Sequence, residues 1–131
     1  MANCNLNLRS VRQAEHPRFP FQRLDAYSSA RALASMVHRA AISDVELRDQ
    51  ATRAAKSAFL NLCEGLPDDR PAMRRKYFLA ADGSLHETVG AVDLAAAIGA
   101  VDLRRAEEIH AEALRLRALL RGLLRVTGTG R

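Results

Sequence analysis

Four stretches of this chain repeat alanine, leucine and other apolar residues every three to four positions, and short polar breaks separate them. That spacing gathers apolar side chains on one face of an α-helix. In the first stretch Ala26, Ala30, Leu33, Val37 and Ala40 form the row, with Phe21, Leu24 and Tyr27 beside its start. Leu47, Ala51, Ala55, Ala58 and Leu62 form the second, flanked by Phe59 and Cys63. Phe78, Ala81, Leu85, Val89, Val92 and Ala96 form the third, and Ile109, Ala113, Leu116, Leu120 and Leu123 the fourth. Helices joined by such short connections pack as antiparallel neighbours. The expected fold is therefore all-α, an antiparallel up-down-up-down four-helix bundle.

Composition agrees with that expectation. The 131 residues suit one domain, and 48% of them are hydrophobic. Aromatics are only 5% and Trp is absent, so Leu, Ala, Val and Ile must build the core. Seven Gly and four Pro are too few turn residues for a many-stranded β fold. Helix 1 is expected over residues 21–41. Ser43 and Asp44 mark a break and an N-cap before helix 2, residues 45–64. Gly65 signals a C-cap, and Pro71 suits the first turn of helix 3, residues 71–97. Gly99 closes that helix, and helix 4 follows over residues 102–125. Residues 1–20 are polar and basic and are expected to be a flexible arm. Residues 126–131, rich in Gly and Thr, are expected to be a flexible tail.

Little in the sequence points to catalysis. There is no P-loop, GxGxxG, HExxH or CxxC motif. His16, His38, His86 and His110 are scattered, and no Glu-x-x-His pair of the kind that holds metals in bundles occurs. Cys4 and Cys63 lack metal-ligand spacing and cannot make a disulfide framework. No enzyme activity, metal or cofactor is expected. No apolar run reaches the roughly 18 residues of a membrane span, and residues 1–20 lack the apolar core of a signal peptide. The expected location is the cytoplasm.

Several polar residues interrupt the apolar helices. Ser57, Asn61 and Glu64 share a face of helix 2, and Ser84 and Glu87 share one of helix 3. A buried polar group left unpaired costs about 1–3 kcal/mol, so these five are expected to form a hydrogen-bond network between the two helices. A paired-carboxylate acid/base site at Glu64 and Glu87 is the competing reading. It lacks an accompanying nucleophile, metal ligand or substrate loop.

The charge balance favours anionic partners. The formal net charge is +5, and of 20 basic residues only Lys56 and Lys76 are lysines. Arg74, Arg75 and Lys76 open helix 3, while Arg117, Arg121 and Arg125 step by four along helix 4. These six are the expected contacts to RNA or DNA phosphates, acting through counterion release rather than base readout. The competing reading is a solvated face. Tyr27 and Tyr77 are expected to pack inside, which leaves no stacking platform for reading single strands.

Helices 3 and 4 carry more apolar surface than one bundle can cover. Ala91, Leu94 and Ile98 form a second row on helix 3, and Leu103 and Leu114 lie well round from the core row of helix 4. Gly83, Gly90 and Ala97 recur at a heptad, where backbones can approach closely. Self-assembly is expected, with Leu94, Ile98, Leu103 and Leu114 at the interface.

Three motifs carry a resemblance. They are Phe21-x-x-Leu24-x-x-Tyr27-x-x-Ala30, Arg53-Ala54-Ala55-x-Ser57-x-x-x-Asn61-x-x-Glu64-Gly65 and Phe78-x-x-Ala81-x-Gly83-Ser84-x-x-Glu87. Together they resemble the four helix bundle protein family. That family includes proteins encoded in intervening sequences of bacterial 23S rRNA genes and accessory proteins of diversity-generating retroelements. Phe59-Leu60 departs from the small or β-branched residues usual between the Ser and the Asn, and the long N-terminal arm is atypical. The resemblance implies a homopentameric ring. For the retroelement members it implies a basic surface that binds nucleic acid and a reverse transcriptase.

Overall fold

The computed structural model describes residues 18–129, with side chains through Thr127. A short 3₁₀ turn, Pro20–Arg23, leads into four helices: α1 (Asp25–Arg39), α2 (Val45–Gly65), α3 (Pro71–Ala97) and α4 (Leu103–Thr129). Each helix packs against its neighbours in chain order, and α1 packs against α4, which closes the square. The fold is the expected all-α four-helix bundle. The apolar rows supply its core: Leu33, Leu62, Phe78, Leu85, Ile109, Leu116 and Leu120 are all buried. Of the expected rows, Leu47, Val89, Ala96 and Leu123 are only half-buried. Among the described residues no helix is long and apolar enough to cross a membrane. Residues 1–17, with Cys4 and His16, and residues 130–131 lie outside the described residues.

The first helix is shorter than expected at both ends. Leu24 is extended (φ −77°, ψ 144°) and separates the 3₁₀ turn from α1. An aromatic chain replaces the expected extra helical turn. Phe21 meets Tyr27 edge-on with ring centroids 5.6 Å apart, and Tyr27 meets Phe59 of α2 at 5.3 Å. At the far end Ala41 takes a left-handed conformation (φ 55°), which costs a non-glycine residue about 1–2 kcal/mol. The reversal drives Ile42 into the core at 1% exposure. Burying that side chain returns about 1.5–3 kcal/mol, enough to offset the strain.

The other boundaries show which local signals govern. Asp44 is the N-cap of α2, its Oδ1 accepting the Leu47 N–H at 2.9 Å. Gly99 ends α3 with φ +75°, the conformation glycine tolerates best. Gly65, by contrast, is not a cap: Leu66 follows it with an ordinary right-handed φ of −59°. Helix α4 continues four residues beyond Arg125, to Thr129, and Thr127 Oγ1 donates to Leu124 O at 3.0 Å.

Candidate nucleic-acid and assembly surfaces

The polar residues of α2 and α3 meet in a seam. Ser57 Oγ and Ser84 Oγ lie 2.9 Å apart. Asn61 Nδ2 donates to Ser57 O (2.9 Å) and to Ser57 Oγ (3.2 Å). Thr88, fully buried, donates its Oγ1 to Ser84 O at 2.9 Å. Glu64 and Glu87 do not join them. Both are exposed, and among the described residues neither makes a hydrogen bond or ion pair. A carboxylate is far better solvated by water than by a hydroxyl seam, so the network contracts to Ser57, Asn61, Ser84 and Thr88. The two carboxylates form no shared site. Across the bundle, buried Ser29 of α1 donates to Glu112 Oε2 of α4 at 3.1 Å. The only signal for Ser29 or Thr88 in the sequence is a hydroxyl beside a core row.

The structure sorts the six expected phosphate contacts. Arg74 faces inward. Its Nη1 donates to Leu66 O (2.9 Å) and Asp68 O (3.4 Å), and its guanidinium stands 5.2 Å from the Phe78 ring centre. Arg74 is thus a clamp on the α2–α3 loop, where free carbonyls attract it more strongly than solvent does. Arg75 Nη1 donates to Leu124 O at 3.3 Å, which seats the start of α3 against the last turns of α4. Lys76, Arg121 and Arg125 are exposed at that same end. Arg117 is exposed too, one turn before Arg121 on α4, and lines an apolar groove beside Leu114.

A paired charge braces this end. Arg70 Nε and Nη2 donate to the Asp68 carboxylate at 3.0 and 2.8 Å, and the Arg70 N–H adds a third bond at 2.9 Å. Hydrogen bonds from Arg70 hold the Asp68 carboxyl down at about 2, below its ordinary 3.8. A depressed carboxyl stabilises the folded state above its ordinary range, and that contribution is lost as pH falls through about 2. Carboxyl-resolved NMR is expected to place the Asp68 midpoint near 2. Arg70→Ala should return it toward the ordinary value. A wild-type midpoint already at the ordinary value would show the brace to be absent in solution. Burial and then the Glu64 charge raise the Cys63 thiol, which lowers its thiolate fraction.

The second apolar rows lie open. Leu94, Ile98, Leu103 and Leu114 are each more than half exposed. Between α3 and α4 runs a cavity of about 340 Å³ lined by Val92, Ala96, Leu103 and Ile109. A smaller one of about 130 Å³, bordered by Leu85, Leu114 and Arg117, shares Val89 and His110 with it, so the two form one groove. Gly83 and Gly90 face space in which an added Cβ would meet nothing within 4 Å. Among the described residues no group of His, Cys, Asp and Glu could hold a metal.

A family model described as 23S rRNA-intervening sequence protein matches residues 22–122. The matched span takes in α1, α2 and α3 whole and α4 as far as Gly122. A comparison with curated proteins finds no match.

Proposed function

Because the chain belongs to the 23S rRNA-intervening sequence protein family, we propose that it is a non-enzymatic, self-assembling helical bundle that binds RNA or DNA through phosphates. The observation that carries this is the cationic surface where the start of α3 meets the end of α4. Lys76, Arg121 and Arg125 stand exposed there, on a chain of net charge +5. Arg forks and a Lys point charge both suit phosphate oxygens. Tyr27 is not free to stack on a base, because it packs between Phe21 and Phe59, while Phe19 stands exposed beside Phe21. Binding of this type follows charge and shape, with little preference for sequence.

The exposed leucines support self-assembly. A contiguous apolar groove on a small domain marks a surface that another protein surface covers. A ring of five copies is the stoichiometry the family resemblance implies. A second reading, a scaffold that docks a partner protein such as a reverse transcriptase, rests on the same groove. The two differ in what a purified chain does alone, because a scaffold for a foreign partner leaves the groove open until that partner arrives.

Filter binding with mixed-sequence RNA and DNA tests the nucleic-acid reading. The logarithm of affinity is expected to fall linearly with the logarithm of salt, by about 0.9 per phosphate contacted. Absence of binding at low salt would refute it.

A further inference from the structure

The charges of this bundle are sorted by end. Residues 18–25, 64–76 and 121–125 meet at one end, where Arg75 reaches Leu124 O and the aromatic chain ties the start of α1 to α2. In those segments Lys and Arg outnumber Asp and Glu by eight to four. Residues 39–49 and 93–108 meet at the opposite end. There Ser43 N–H donates to Ala100 O at 2.8 Å, and Arg105 Nη1 donates to Arg39 O at 2.6 Å. In those segments the balance reverses, with four cationic side chains against seven anionic ones.

The separation of the two ends decides whether this matters. Helix α3 spans 27 residues, which at 1.5 Å per residue is about 40 Å. Exposed charges are screened over about 8–10 Å at physiological salt. A phosphate chain at one end therefore senses that end and not the net charge of the molecule. The acidic end repels it locally even though the whole chain is basic.

We infer that nucleic acid binds the basic end alone, over Arg23 before α1, Lys76 on α3 and Arg121 on α4. This rests on the nucleic-acid reading above and assigns it a single surface. Arg70 and Arg74 lie within that end but are engaged by Asp68 and by the loop carbonyls. They shape the surface, while the exposed cations contact phosphate. In a cyclic ring whose axis runs along the bundles, every copy turns the same end to the same face. One face of such a ring is a nucleic-acid platform and the other excludes nucleic acid.

Matched charge reversals in the full chain test this. Lys76→Glu with Arg121→Glu alters the basic end. Arg53→Glu with Lys56→Glu makes an equal charge change on the exposed middle of α2. Fluorescence anisotropy with a labelled mixed-sequence RNA, titrated over a salt series, gives affinity and salt slope. The end pair is expected to weaken binding about tenfold or more and to lower the salt slope by about 2, roughly one for each phosphate that is no longer neutralised. The mid-helix pair should stay within about twofold of the parent, since its charges lie beyond screening range. Circular dichroism melts check folding, and Lys76→Gln with Arg121→Gln repeats the comparison with a gentler change. Equal losses of affinity from both pairs would overturn the end assignment while leaving the nucleic-acid reading intact. No binding by the parent chain would remove both.

Discussion

Gly65→Ala is expected to destabilise the fold by about 1–3 kcal/mol, although alanine is the better helix former by about 1 kcal/mol. The methyl group has nowhere to go. A Cβ at this position would stand 2.8 Å from Phe78 Cε1, 2.9 Å from Phe78 Cδ1 and 3.0 Å from Tyr77 Cβ. Phe78 cannot retreat, because it is fully buried and the Arg74 guanidinium stands over its ring. Two helices would have to move apart, and the Ser57–Ser84 hydrogen bond lies on the same seam. Shrinking the neighbour should relieve the clash. Phe78→Ala alone is expected to cost about 3–5 kcal/mol through the cavity it leaves. Combined with Phe78→Leu, Gly65→Ala should cost less than it does in the parent, a coupling of about 1 kcal/mol. Thermal or urea unfolding at fixed protein concentration measures each term. A neutral or stabilising Gly65→Ala would show that close approach does not fix the glycine.

That glycine illustrates what a sequence conveys and what it withholds. The fold is legible because the apolar rows are periodic, and periodicity is a local property of each helix. Asp44 and Gly99 are legible for the same reason, since caps depend on a few adjacent residues. Gly65 also reads as a cap, sitting at the end of a helical pattern before a loop. Its actual constraint comes from Phe78, thirteen residues away, and only the packing of α2 on α3 reveals it. Arg74 misleads in the same way. In a run of three cations it suggests a phosphate contact, but the loop folds its carbonyls toward it. The polar seam is half legible: spacing groups Ser57, Asn61 and Ser84 correctly. It does not say that Glu64 and Glu87, on nearly the same faces, turn to water. The Ser29–Glu112 bond spans 83 residues, and no local pattern announces such a pairing.

Leu114→Arg is expected to dissolve the assembly while leaving each copy folded. Leu114 is more than half exposed in one copy and contributes nothing to the buried core, so the bundle tolerates the change. At an interface the same position becomes closed. Covering the exposed part of a leucine is worth about 1 kcal/mol at about 25 cal/mol per Å². An uncompensated charge sealed in its place costs about 3–5 kcal/mol. Arg117 is one turn away on α4 and His86 and His110 border the same stretch of the groove, while its carboxylates, Asp93 and Glu107, line the larger cavity that Leu114 does not border. The penalty recurs at every interface of a symmetric ring, and the whole ring loses several times the cost of one interface. Light scattering should therefore return a multiple of 14.4 kDa for the parent chain and a single-copy mass for Leu114→Arg, with helical content unchanged. Leu94→Arg, on the exposed second row of α3, should act in the same direction. A parent chain that scatters as one copy would end the assembly reading. An intact oligomer in both variants would move the interface away from α3 and α4, and the exposed leucines would then await a foreign partner.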